Sequence, residues 1–246
     1  MLQKYYKLLM LVAIPVWVVI SFFAAQAIVL AVAWVLVQLN ISLVSMNETL
    51  LNTISTALTY VITLLLVIGA PWLIKKRKTT ITEIGLDRLP KWTEIFITPA
   101  GLIVYLLLSA FFLMLASKFV PSFDANQVQE VGFGHLSQKY EYLLAFFVLV
   151  VAVPVAEEVL FRGYLFGKLK KFVPLWAAIL VTSVVFGALH GNLNVIVDTI
   201  ALSIVLCILR QVTGSIWPSI LLHMTKNGIA FYFLFINTSF LTTMGG

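Results

Sequence analysis

A single cysteine, Cys207, among 246 residues excludes an internal disulfide. Inside an apolar stretch it reads as a small buried hydrophobe and says little about redox compartment. Charge is equally scarce. Only 11% of residues are charged against 61% hydrophobic, and mean hydropathy reaches +1.05. Those values exclude an ordinary water-soluble globular protein. No internal repeat, low-complexity tract or heptad run is present, so nothing in the sequence points to a transporter built from repeated halves.

What is there is a succession of apolar runs. At roughly 20 residues per helical span, they fall at 8–37, 50–74, 95–117, 141–166, 172–190, 193–209 and 215–236. The expected fold is therefore an all-α integral membrane protein, a polytopic bundle of about seven transmembrane helices, and residues 1–246 read as a single membrane domain. Ala25, Gln26 and Ala27 follow a basic start in the pattern of a signal cleavage site. The apolar stretch continues to Leu39, longer than a signal core, so an uncleaved first span is the better account.

The net charge of +6 follows topology and calls for no nucleic acid. Lys4 and Lys7 precede the first span, Lys75, Lys76, Arg77, Lys78, Arg88 and Lys91 follow the second, and Lys168, Lys170 and Lys171 follow the fourth. These loops are expected in the cytoplasm, with the N-terminus inside a cell membrane and the lipid bilayer as first partner. Residues 75–94 read as a polar cytoplasmic loop or surface helix, and 118–140 as a polar outer loop. Neither carries a binding motif.

Chemistry concentrates between Pro154 and Asn227. Ionisable groups at membrane depth are costly, and the default reading of a cluster of them is a site. Glu157 and Glu158 stand side by side in AFFVLVVAVPVAEEVLFRGYLF. Glu158 and Arg162, one turn apart, share a helix face and can neutralise each other. Glu157 lies about 100° round the helix and is able to face a cavity. Pro154 upstream cannot donate its backbone hydrogen bond and can kink the helix. Phe186-Gly187-Ala188-Leu189-His190 ends the fifth span, with small residues that permit close helix approach. In the seventh, His223 and Asn227 are spaced i, i+4 and can donate two hydrogen bonds to one oxygen.

These fragments supply what amide hydrolysis requires: a carboxylate and an imidazole to activate water, and donors for an oxyanion. HExxH, G-x-S-x-G and a GxGD-type aspartate pair are missing, which sets aside other intramembrane hydrolytic chemistries. In order, EExxxR, FxxxH and HxxxN over residues 141–236 resemble the three motifs of the CPBP intramembrane metalloproteases (CAAX protease and bacteriocin-processing, or Abi, proteins). The first three spans match that family only in being hydrophobic. The resemblance implies that Glu157 and His190 activate water, that His223 and Asn227 stabilise the oxyanion, and that Glu158 with Arg162 holds the helix. It also implies a peptide or membrane-protein substrate: a CAAX-type prenylated protein, a pheromone or a bacteriocin precursor.

Two cofactor readings stay open, metal-free catalysis and one Zn²⁺ held by Glu157, His190 and His223 with an open position for water. Rival functions are an ion or proton transporter using Glu157, His190, His223 and Asp198, and a non-catalytic immunity or scaffold protein. Lys226 reads as snorkelling to an interface, Asp198 as support or cavity lining, His135 as solvated and the tryptophans as interfacial. One conflict arises from counting. His190 falls at the outer end of the fifth span and Glu157 toward the cytoplasmic side of the fourth, so the fifth span is tilted or its boundaries differ from 172–190.

Overall fold

The computed structural model describes residues 2–41, 47–76, 78–121, 123–125, 127 and 136–237, and His135 lies outside them. The described residues are helical: α1 (Leu2–Gln38), α2 (Glu48–Ile74), the single turn α3 (Ile81–Ile84), α4 (Trp92–Phe119), α5 (Lys139–Leu169), α6 (Leu175–Ala188), α7 (Leu193–Thr213) and α8 (Trp217–Ile236). Six of these are long and apolar enough to cross a membrane, all except α3 and α6. Large apolar side chains lie exposed along them, Leu30 at 70%, Leu73 at 74% and Leu107 at 69% among others. A continuous apolar exterior of this kind suits lipid and not water. This is a polytopic helical integral membrane protein.

The run expected as the fifth span is α6, of 14 residues. At 1.5 Å per residue it reaches about 21 Å, short of the roughly 30 Å of hydrocarbon. Pro174 precedes its first turn, and Gly191, at φ +80°, turns the chain just beyond it. The boundaries, then, differ from the hydropathic run, and His190 stands at the end of a short helix.

By its contacts the chain divides into two compact units, and the division cuts α1, α5 and α8. The first contains Met1–Val16, Thr79–Gln129 and Glu157–His223. Its core is Tyr105 of α4, Leu202, Val205, Leu206 and Leu209 of α7, and Leu222 of α8. Tyr105 (2.7 Å) and Ser109 (2.5 Å) donate hydroxyl hydrogen bonds to Asp198, which ties α4 to α7 within the membrane. Gly187 sets the approach of α6 to α7. A Cβ there would lie 2.6 Å from Ile200 Cγ1 and 2.9 Å from the Ile196 carbonyl oxygen. Because the oxygen is backbone, Gly187→Ala must part the two helices. The expected cost is about 1–3 kcal/mol, read as a lower unfolding midpoint in detergent. An unchanged midpoint would contradict this packing.

The second unit contains Trp17–Lys78, Glu130–Ala156 and Met224–Gly246. Asn47 caps α2 by accepting from the Leu50 N–H (3.2 Å) and donates to Glu141 (2.6 Å). Glu141 also accepts the Ser137 and Gln138 backbone N–H groups at the start of α5. Ala145, Val148, Val150 and Phe231 form its core. Pro154 lacks the N–H that an ordinary helix would give to the Val150 carbonyl. The backbone before it, Phe147–Ala152, has the wider i→i+5 turns by which a helix accommodates such a break.

At one end of the first unit, Glu83 accepts from Lys171 (2.7 Å) and Lys168 (3.2 Å). The Lys171 hydrogen bond foremost, then Lys168 and the Thr80 N–H, hold the Glu83 carboxyl down at about 2 against partial burial, from an ordinary 4.5. A depressed carboxylate stabilises the fold above its unfolded value and loses that contribution as pH falls toward the folded one. Stability in detergent should therefore be independent of Glu83 above pH 4.5 and decline from there toward 2, and Glu83→Gln should remove that part of the decline.

Candidate active site

Glu157, Glu158, Arg162, Phe186, His190 and His223 all belong to the first unit. They sit on α5, on α6 and its terminal turn, and on α8. Arg162 lies in a second widened stretch of α5, Val159–Phe166. Single wide turns of this kind recur at functional sites because they re-aim side chains without breaking the helix. Glu158 and Arg162 are wholly buried, and Glu157 and His223 nearly so.

Arg162 Nη1 donates to Glu158 Oε1 at 2.9 Å. The same oxygen receives the Nδ1–H of His223, also at 2.9 Å. Glu158 was expected to serve Arg162 alone; a 65-residue separation hid its second partner. The chemistry of the contact sets the imidazole tautomer. A carboxylate only accepts, so Nδ1 carries the hydrogen. Nε2 lies 3.6 Å from Glu157 Oε2. That is too long for a direct hydrogen bond and suits a shared water molecule.

Phe186 is the residue whose role the sequence did not reveal. Its ring stands edge-on to His190 (centroids 4.9 Å), His223 (5.9 Å) and Phe161 (4.7 Å). The Arg162 guanidinium carbon lies 4.4 Å from its centroid. One phenyl ring therefore spaces both imidazoles and offers a π face to the buried cation, an interaction of about 2 kcal/mol when desolvated. The F of FxxxH was its only signal. His190 donates Nδ1–H to the Phe186 carbonyl at 2.8 Å, one turn back, which leaves Nε2 as the nitrogen turned away from the backbone contact. Cys207 of α7, fully buried, sits in electrostatic reach of Arg162 and Glu158.

The residues singled out in sequence thus divide. Glu157, Glu158, Arg162 and His223 form one connected group, with His190 joined to it through Phe186. Asn227 lies in the second unit, where its amide donates to the Leu149 carbonyl at 2.9 Å. Asp198 is held by Tyr105 and Ser109. Among the described residues no three His, Cys, Asp or Glu side chains converge as a metal-holding group. Glu157, His190 and His223 in this arrangement do not meet the fit for a zinc ion.

Comparison with known proteins agrees with the motifs. The family model described as "Type II CAAX prenyl endopeptidase Rce1-like" matches residues 139–229, the stretch that carries every residue of the group. The chain is 26% identical over 135 residues to "Putative membrane peptidase YdiL" of Bacillus subtilis (strain 168), an alignment covering 52% of this chain and 54% of that protein. The chain thus spans about half the length of the curated relative it matches. No solved structure matches. Over residues 139–229, the stretch with the EExxxR, FxxxH and HxxxN motifs, the chain is thus similar to the Rce1-like type II CAAX prenyl endopeptidases.

Proposed function

We propose that this protein is an intramembrane endopeptidase that hydrolyses a peptide bond with water activated by Glu157. The observation that carries the proposal is His223 held between two glutamates, Nδ1 fixed on Glu158 and Nε2 turned to Glu157. A water molecule near Glu157 gives its proton to the carboxylate as its oxygen attacks the carbonyl carbon, with His190 as the imidazole partner in activation. The oxyanion takes hydrogen bonds from His223, in its protonated form, and from Asn227, one turn on along α8. Glu157 then returns the proton to the leaving nitrogen as the carbon–nitrogen bond breaks, so the carboxylate ends unchanged. Glu158 with Arg162 holds the imidazole and the helix. No step passes through a metal.

The basic loops support a cell-membrane protein with its N-terminus in the cytoplasm. The family description supports a CAAX-type prenylated protein as substrate, ahead of a pheromone or bacteriocin precursor. The test is cleavage, by purified protein in detergent, of quenched fluorescent peptides ending in Cys-aliphatic-aliphatic-X, with and without a prenyl group, each repeated with a zinc chelator. Cleavage that survives chelation supports the reading. Loss on chelation, restored by zinc, would replace it with the metallopeptidase reading, and a failure to cleave any prenylated peptide would remove this substrate class.

A further inference from the structure

We propose that residues 80–89 are a positioning strap for the catalytic helices, with Ile84 as its key residue. The inference rests on the peptidase reading for its kinetic consequence, not for its geometry. In sequence the segment is a polar connection between spans; in the first unit it binds to three helix ends at once. Thr80 and Glu83 close α3 reciprocally, through Glu83 N–H to Thr80 Oγ1 (3.1 Å) and Thr80 N–H to Glu83 Oε2 (3.3 Å). Glu83 then reaches Lys168 on the last turn of α5 and Lys171 beyond it. Arg210 at the end of α7 donates to the Glu83 carbonyl (3.1 Å). Its guanidinium lies over Gly85, where any Cβ would stand 2.7 Å from Cζ and where φ is +89°. The Gly85 carbonyl accepts the Ile216 N–H (3.2 Å), and the Trp217 indole donates to the Arg88 carbonyl (2.7 Å), both at the start of α8.

Ile84, 8% exposed, is the apolar centre of these contacts. It packs on Gly163, the residue after Arg162, so closely that a Cβ at 163 would lie 2.7 Å from Ile84 Cγ2, 3.3 Å from Cβ and 3.4 Å from Cα. The strap therefore touches α5 beside the buried cation and grips α8 six residues before His223. The Glu158–His223 hydrogen bond joins the same two helices. By fixing α5 against α8, the strap sets the distance on which that bond depends. A positioning element acts through others, and a displacement of about 1 Å at a reacting centre costs on the order of 10²-fold in rate.

The test is Gly163→Ala, alone and with Ile84→Ala. Alanine is the better helix former by about 1 kcal/mol, so a loss on adding this methyl cannot come from helix propensity. Expected is a fall of about 10²-fold in kcat with KM little changed. The lone thiol of Cys207, buried on α7 in reach of Arg162, serves as a reporter that needs no activity. Its alkylation by N-ethylmaleimide should quicken by about tenfold or more as the helices loosen. Ile84→Ala added to Gly163→Ala should return both readouts to near wild type. Gly163→Ala that matches wild type in alkylation overturns the strap. So does a defect, or outright misfolding, that Ile84→Ala fails to repair. If wild type cleaves no peptide, the peptidase reading fails by itself, and the alkylation rates still decide whether Ile84 positions the helices.

Discussion

Glu157→Gln is expected to lower kcat/KM for peptide cleavage by about 10³-fold, the middle of the range for loss of a general base, or about 4 kcal/mol of transition-state stabilisation. The amide keeps the shape of the carboxylate and can still hold a water molecule, but it cannot take the proton. KM should therefore stay near wild type while kcat falls. Stability should hold or rise slightly, because a nearly buried carboxylate beside the buried Glu158 is replaced by a neutral group. The comparison is made on detergent-purified protein, with unfolding midpoint and cleavage measured on the same samples. Equal activity in the two proteins would take Glu157 out of the reaction. Activity lost together with several kcal/mol of stability would make its role structural.

The second large effect is on stability. Arg162→Ala leaves Glu158, which has no exposed surface, as a buried carboxylate whose cation is gone. Breaking such a pair from one side costs about 3–5 kcal/mol. Here the loss includes the stacking of the guanidinium on Phe186 and a cavity of most of a side chain. Replacing both partners by apolar groups, Glu158→Leu with Arg162→Met, removes the uncompensated charge and should recover most of the stability, since buried pairs exchanged for hydrophobes of similar volume are often neutral. Activity should not recover with it. His223 would have lost the acceptor that fixes its Nδ1–H, and its ring would no longer be held with Nε2 toward Glu157. A stable double variant with wild-type kcat would show that Glu158 does nothing for His223.

Those two substitutions mark where sequence reasoning reached and where it stopped. The Glu158–Arg162 pair was legible because helical periodicity alone brings i and i+4 together. The bond from His223 to the same oxygen depends on the relative rotation of α5 and α8, which no local pattern encodes. The extent of the fifth helix was less legible, because hydropathy measures apolar length and the run 172–190 is apolar throughout. Pro174 and Gly191, which bound the helix to Leu175–Ala188, count for almost nothing on such a scale. Residues 75–94 read only as a polar loop or surface helix for a related reason. Polar side chains read as solvated, while most of the strap's hold on its neighbours is through backbone carbonyls and a single isoleucine.

The brevity of α6 also bears on supply. Hydrolysis consumes one water molecule per bond cut, and hydrocarbon holds almost none. A helix of about 21 Å is shorter than the hydrocarbon is thick, and where it ends within that layer its turn, Leu189–Asn192, is irregular backbone, with Gly191 exposed. Such backbone is tolerated at that depth only when it is enclosed in protein or lines an aqueous recess. His190 sits on this turn. For the proposed hydrolysis, an early end to one helix is thus a route by which water reaches that imidazole.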